Sequence, residues 1–188
     1  MARSKEFDIE VALDAAVEVF REHGYAGSST QMLTTSMKIG KQSLYDTFDG
    51  KWQLYCSALK KYGASETAAH IALLRGSPRA MEGLEKMLER VVAQANRPCL
   101  GIGSIVEFGS QEEDLNQIRE PSGRALRTEL VKRIREAKTV GDLSIDLDPD
   151  YAAGFLLANV AAIRIAARGG ASQDELIALS HLTLKALQ

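Results

Sequence analysis

The stretch from Asp8 to Phe48 places the tightest constraint on what this chain can fold into. Ile9, Leu13, Ala16, Val17 and Phe20 recur at helical spacing and form one apolar stripe. Asp8 is placed to cap that helix, and Glu10 suits the positive end of its dipole. Gly24 stops it, with Arg21 and His23 in the last turn, where positive charge is favoured. Two short helical segments follow. Ser29 caps the first, which turns Leu33, Ser36 and Met37 inward. Lys38-Ile39-Gly40 breaks the pattern, and the second runs from about Lys41 to Phe48 with Leu44 and Phe48 on one face. Two short helices joined by a tripeptide, behind a longer helix that supplies their floor, make a helix-turn-helix. An ordinary three-helix core with no DNA role fits the pattern alone equally well.

The rest of the chain reads as helix throughout. A long helix opens at Lys51, carries Trp52, Tyr55, Leu59 and Tyr62, and runs to about Leu74. Pro78 can open the next, marked by Met81, Leu84, Leu88, Val91 and Val92. A short apolar segment from Cys99 to Phe108 precedes a longer amphipathic helix with Leu126, Leu130, Val131 and Ile134, stopping at Gly141. Asp148-Pro149 is a strong start signal for an alanine-rich helix to about Arg168. That helix is apolar nearly all round and must be covered on most sides. Gly169-Gly170 ends it, and Ser172 with Glu175 forms a capping box for a last helix through Leu187. The expectation is an all-α fold of about nine helices, with no strand, linker or internal repeat.

At 188 residues, 45% hydrophobic and 26% charged, the chain can bury a real core as one domain or as a small domain joined to a larger one. A net charge of −2 excludes a protein that coats nucleic acid indiscriminately, so any DNA contact must be local and specific. Cys56 and Cys99 fit no disulfide framework or zinc spacing, and His23, His70 and His181 are too scattered for a metal site. The first seven residues carry no apolar signal core. The longest apolar run, Tyr151 to Ile163, meets Arg164 short of the ~20 residues that span a bilayer. These features suggest a cytoplasmic protein with reduced thiols and no cofactor.

Residues 9–62 resemble the DNA-binding head of the TetR/AcrR family of transcriptional regulators. The resemblance is carried by Ala-Ala-Val-Glu-Val-Phe followed by Glu-His-Gly-Tyr, then Ser28-Ser29, Leu33, the stretch Ser43-Leu44-Tyr45-Asp46-Thr47-Phe48, and Lys51 and Leu54. Beyond the head, the chain matches that family only in helix number and length. The family usually has glycine where this chain has Lys38, and often serine where it has Gly40. A left-handed backbone at Lys38 would carry a steric cost, so a variant of the usual turn is expected there.

In a helix-turn-helix the second short helix enters the major groove by its N-terminal end, where Lys41, Gln42 and Ser43 stand. Gln42 can pair bidentately with adenine, and Lys41 can reach guanine acceptors or a phosphate. The same residues would pass for solvated surface without the flanking signature. The resemblance implies that the Tyr45 hydroxyl reaches the DNA backbone and that Lys51 clamps a phosphate, although a purely structural tyrosine also fits. Thr47 can reach a base or a phosphate, and Ser29, Thr30 and Gln31 offer hydroxyls and free N–H groups to another phosphate.

Three body residues are candidates for effector or redox sensing: Cys99, Phe108 and Arg164. The Cys99-Leu100 pair with Glu107 resembles a branch of the family in which some members sense electrophiles, while a small structural core cysteine is the plainer reading. Arg164 fits either a ligand counter-ion or, preferably, a partner for an acidic side chain across a subunit interface. The resemblance implies a helix-turn-helix domain over residues 1–50 and a helical effector-binding and dimerisation domain over 51–188. It further implies a homodimer through the last two helices, a pseudo-palindromic double-stranded DNA operator and repression relieved by a small molecule. A helical thiol-dependent enzyme and a protein-binding adaptor are the rival readings, and the enzyme lacks a nucleophile–base pair at recognisable spacing.

Overall fold

The computed structural model describes residues 7–188, and among them the chain is all helix. Met1–Glu6, most of the segment in which no signal core was read, lie outside the described residues. The helices are α1 (Ile9–His23), α2 (Thr30–Met37), α3 (Lys41–Phe48), α4 (Lys51–Gly76), α5 (Ala80–Ala93), α6 (Leu100–Phe108), α7 (Glu113–Thr139), α8 (Pro149–Arg168) and α9 (Gln173–Lys185). Their order and number match the expectation.

Local signals explain most of the ends. Asp8 Oδ1 accepts from the Glu10 and Val11 N–H groups at 2.8 and 3.3 Å, and Gly24 ends α1 at a φ of 67°. Asp148 caps α8 in the same manner, accepting from Asp150 and Tyr151 at 2.9 Å. Ser172 and Glu175 complete the capping box of α9. One end differs from the sequence reading. Pro78 does not open α5; Arg79 is its N-cap. Pro121 lies inside α7. A proline there offers no N–H to the turn before it, so α7 runs on at the cost of one helical hydrogen bond.

Packing divides the chain into two compact units, Met1–Ala64 with Cys99–Glu120, and Ser65–Pro98 with Pro121–Gln188. In the first, Ala16 and Phe20 of α1, Leu33 of α2, Leu44 of α3 and Leu54 and Tyr55 of α4 close one core, joined by Leu100 and Leu115. The Phe20 and Tyr55 rings meet edge to face at 5.0 Å. In the second, α5 contributes Leu84, Met87, Leu88 and Val91, against Leu130 and Ile134 of α7, Leu156 and Ile163 of α8 and Leu176 of α9.

The last two helices leave an apolar stripe open. Tyr151, Phe155 and Ile165 on α8 and Ile177, Leu179 and Leu182 on α9 are exposed. Helix α8, at 20 residues and mean hydropathy 1.3, is long and apolar enough to cross a membrane by those two measures, and its apolar run still ends at Arg164 as expected. Its other side is packed into the bundle through Ala152, Ala153, Leu156, Ile163 and Arg164.

Candidate nucleic-acid interface

Most of the interface candidates stand at three helix starts, and Tyr45 and Thr47 lie further along α3. Ser29 Oγ accepts from the Met32 N–H at 3.1 Å and thereby begins α2, with Thr30 half-buried and Gln31 exposed behind it. Gln31 Nε2 donates to Thr35 Oγ at 3.2 Å along the same helix. The link from α2 to α3 then turns through Lys38, whose φ of 55° and ψ of 41° are left-handed. Its N–H donates to the Thr35 carbonyl at 3.3 Å, and the Ile39 N–H donates to that of Thr34 at 3.1 Å. The expected variant geometry is therefore absent: Lys38 adopts the conformation a glycine would supply.

Helix α3 begins at Gly40, which has no side chain to occupy the first-turn N–H groups. A Cβ there would meet only Ser43 Oγ, at 3.9 Å, so the entrance to α3 is open. Lys41 and Gln42 are exposed at that end, and Ser43 is half-buried. Gln42 Nε2 donates to Asp46 Oδ1 at 2.7 Å, which holds its amide along the helix surface. One turn on, Tyr45 is 46% exposed, and Thr47 is half-buried. Leu44 and Phe48 face the core as expected. Gly50, at a φ of 102°, takes a backbone conformation that favours glycine.

Lys51 opens α4 with its ammonium 4.2 Å from the centre of the Tyr25 ring, a cation–π contact that holds its reach. Tyr25 is fixed in turn by Trp52, Tyr55 and Phe108, at ring separations of 5.3, 5.2 and 5.7 Å. The loop carrying it is pinned by Glu107 of α6, whose carboxylate accepts from the Tyr25 N–H at 2.9 Å and the Ala26 N–H at 2.7 Å. Sequence reasoning had paired Glu107 with Cys99 and missed this role.

Known proteins of the same build supply the decisive comparison. Residues 12–57 match the family model for bacterial regulatory proteins of the TetR family. The HTH-type transcriptional regulator YezE of Bacillus subtilis (strain 168) is 31% identical over 182 residues, 94% of each chain. The chain belongs to the TetR family. The HTH-type transcriptional repressor ComR of Escherichia coli (strain K12) is 26% identical, over 97% of this chain and 90% of its own. A solved structure of the TetR family transcriptional regulator CifR, a cysteine variant complexed with a 26-base-pair double-strand operator DNA, superimposes with a TM-score of 0.79. It shares 28% identity over the full length of both chains. This TetR-family chain is thus a DNA-binding transcriptional regulator of the helix-turn-helix type.

The three body candidates fall in different surroundings. Cys99 is the N-cap of α6, half-buried, just before its first turn. Cys56 is buried inside α4, and that burial pushes its thiol up, with the Asp114 charge adding to the effect. Phe108 belongs to the aromatic cluster around Tyr25, also packing on Trp52 at 5.6 Å. Arg164 lies in the bundle of the second unit, 4% exposed. Its acidic neighbour is Glu66 of the same chain, at 3.4 Å, where a residue across a subunit interface was expected.

Glu66, Arg90 and His70, which sequence reasoning did not single out, complete that group. Burial by itself would raise the Glu66 carboxyl, but the hydrogen bonds and charge of Arg90, with Arg164 and His70, hold it below the ordinary carboxylate range. Burial drives the His70 imidazole down to about 4, and Arg90 reinforces the shift, so His70 is neutral at pH 7. The only local signal was the four-residue spacing of Glu66 and His70, which puts both on one face of α4.

Proposed function

We propose that this protein is a homodimeric repressor that binds a pseudo-palindromic double-stranded operator through residues 1–50 and is released by a small molecule held within residues 51–188. The observation that carries this reading is the open, uncapped entrance to α3, where Lys41 and Gln42 are exposed beside Ser43. In this role Gln42 and Lys41 read base edges in the major groove, while Tyr45, Thr47, Lys51 and the Ser29–Gln31 start of α2 fix the phosphates. Operator binding by CifR and the repressor activity named for ComR support the assignment. Two copies join through the apolar stripe of α8 and α9, the largest run of exposed apolar side chains along those helices. Cys99, Phe108 and Arg164 are the residues assigned to effector response. The role is binding and not catalysis, and it belongs in the cytoplasm, where DNA is available.

The test is a mobility shift with purified protein and the DNA upstream of its own coding sequence, in the presence of excess random DNA. A shifted band on the upstream fragment that survives the competitor is the expected result. Equal affinity for upstream and random DNA would refute sequence-specific regulation.

A further inference from the structure

In the bundle of the second unit, one group of charges, half-buried at Glu66 and Arg90 and buried at Arg164, does not balance. Glu66 of α4 accepts from Arg90 of α5 at 2.8 and 3.2 Å, and its Oε2 lies 3.4 Å from Arg164 Nη2 of α8. Two guanidiniums therefore share one carboxylate. Among the described residues, the charged groups acting on Glu66 and His70 are Arg90, Arg164 and each other, with no second acid among them. Arg164 is held loosely for so buried a cation: its contacts, to Glu66 and to the Gln94 carbonyl, are both 3.4 Å, longer than a good N–H···O bond.

His70 adds an unused donor. Arg90 Nη1 lies 3.4 Å from His70 Nε2, and a guanidinium can only donate, so Nε2 accepts. The neutral imidazole then carries its hydrogen on Nδ1, an atom that is buried and has no partner. A surplus cation and an unmet N–H in one apolar interior are both costly to leave unanswered.

We propose that the Glu66–His70–Arg90–Arg164 group is the docking point for the anionic head of the effector, a monocarboxylate with an apolar body. It rests on the effector reading above and adds the ligand's chemical class. A monoanion matches the surplus, which is a single positive charge, and a carboxylate matches the planar fork of Arg164 and accepts from His70. The apolar body is set by the core on the buried side of α8 that Arg164 shares with Leu156 and Ile163. Solvent reaches the group past Glu66 and Arg90, whose side chains are 23% and 18% exposed. An acid from a second copy docked on α8 does not serve, because Arg164 is on the buried side of that helix, away from Tyr151, Phe155 and Ile165.

The experiment uses the full chain without DNA. Calorimetric titration compares octanoate, phenylacetate and benzoate, each against its neutral primary amide. At least one acid is expected to bind about ten-fold more tightly than its amide, and Arg164→Met to erase the preference. Methionine keeps an apolar stem and removes the surplus cation, so the fold should survive, as a circular-dichroism melt will check. Arg164→Lys, which keeps a charge but not the fork, is expected to retain part of the preference and serves if the methionine variant does not fold. A shift of the His70 ring nitrogens with the acid, and none with the amide, is the second readout. The site is overturned if no acid outcompetes its amide, or if the preference survives Arg164→Met. Operator release is scored separately. An acid bound through Arg164 that leaves the operator complex intact supports the site and refutes the effector role. Release by neutral compounds alone refutes the site and leaves the repressor standing.

Discussion

Replacing Lys38 by glycine should stabilise the protein while weakening its hold on DNA. Lys38 is left-handed, with a φ of 55° and a ψ of 41°, and its side chain is exposed. A residue with a Cβ pays about 1–2 kcal/mol in that region. Glycine escapes the clash but loses about 0.5–1 kcal/mol more chain entropy on folding. The hydrogen bonds that close the turn come from the Lys38 and Ile39 N–H groups, and the substitution keeps both. The net expectation is a gain of roughly 0.5–1 kcal/mol. Asp49, also left-handed at a φ of 57°, is the internal control. Aspartate tolerates this region better than lysine, so Asp49→Gly should gain less. If Lys38 also lies near a phosphate, its loss lowers the salt slope of operator binding by about one per protomer. Urea unfolding at a fixed protomer concentration measures the first effect, and fluorescence anisotropy across a salt series the second. A Lys38→Gly variant no more stable than the parent would refute the account of strain. An unchanged salt slope would remove Lys38 from the phosphate contacts.

The remaining expectations concern the interface, the buried histidine and the open stripe. Gln42→Ala should lose discrimination between operator and random DNA, whereas Lys51→Ala should weaken both about equally, as competition binding will reveal; an equal loss on both for Gln42→Ala would withdraw its base-reading role. His70, at about 4 in the folded protein against 6.5 for the free side chain, takes up a proton in the unfolded chain first. Stability therefore falls as pH drops from 6.5 towards 4, by up to about 3 kcal/mol for the full shift. Denaturant midpoints over that range should flatten in His70→Gln, and matching slopes in the two proteins would contradict the burial argument. Phe155→Lys with Leu182→Lys should convert the proposed dimer to a monomer at micromolar concentration by ultracentrifugation, and a doubly charged stripe that still dimerises would move the interface elsewhere.

Much of the architecture was legible in the sequence because helix ends are local events. Asp8, Ser29, Asp148 and Ser172 each bond a backbone N–H two or three residues on, so a short window contains both partners. The apolar stripe of α1 and the Leu44–Phe48 pair were readable for the same reason, since helical spacing states which side chains share a face. Most of the candidate DNA contacts were readable as positions at helix starts. The sequence alone thus determined the nine helices of the described residues, their order and the residues presented at the entrance to α3. Only tertiary packing decided the rest. Lys38 turns left-handed because α2 and α3 must both seat Leu33 and Leu44 in one core, and no local preference of lysine predicts that. Glu107 finds the Tyr25 N–H across 82 residues of sequence, and Glu66 finds Arg164 across 98. Which charges meet at such separations depends on how whole helices pack, a property no window of neighbouring residues contains.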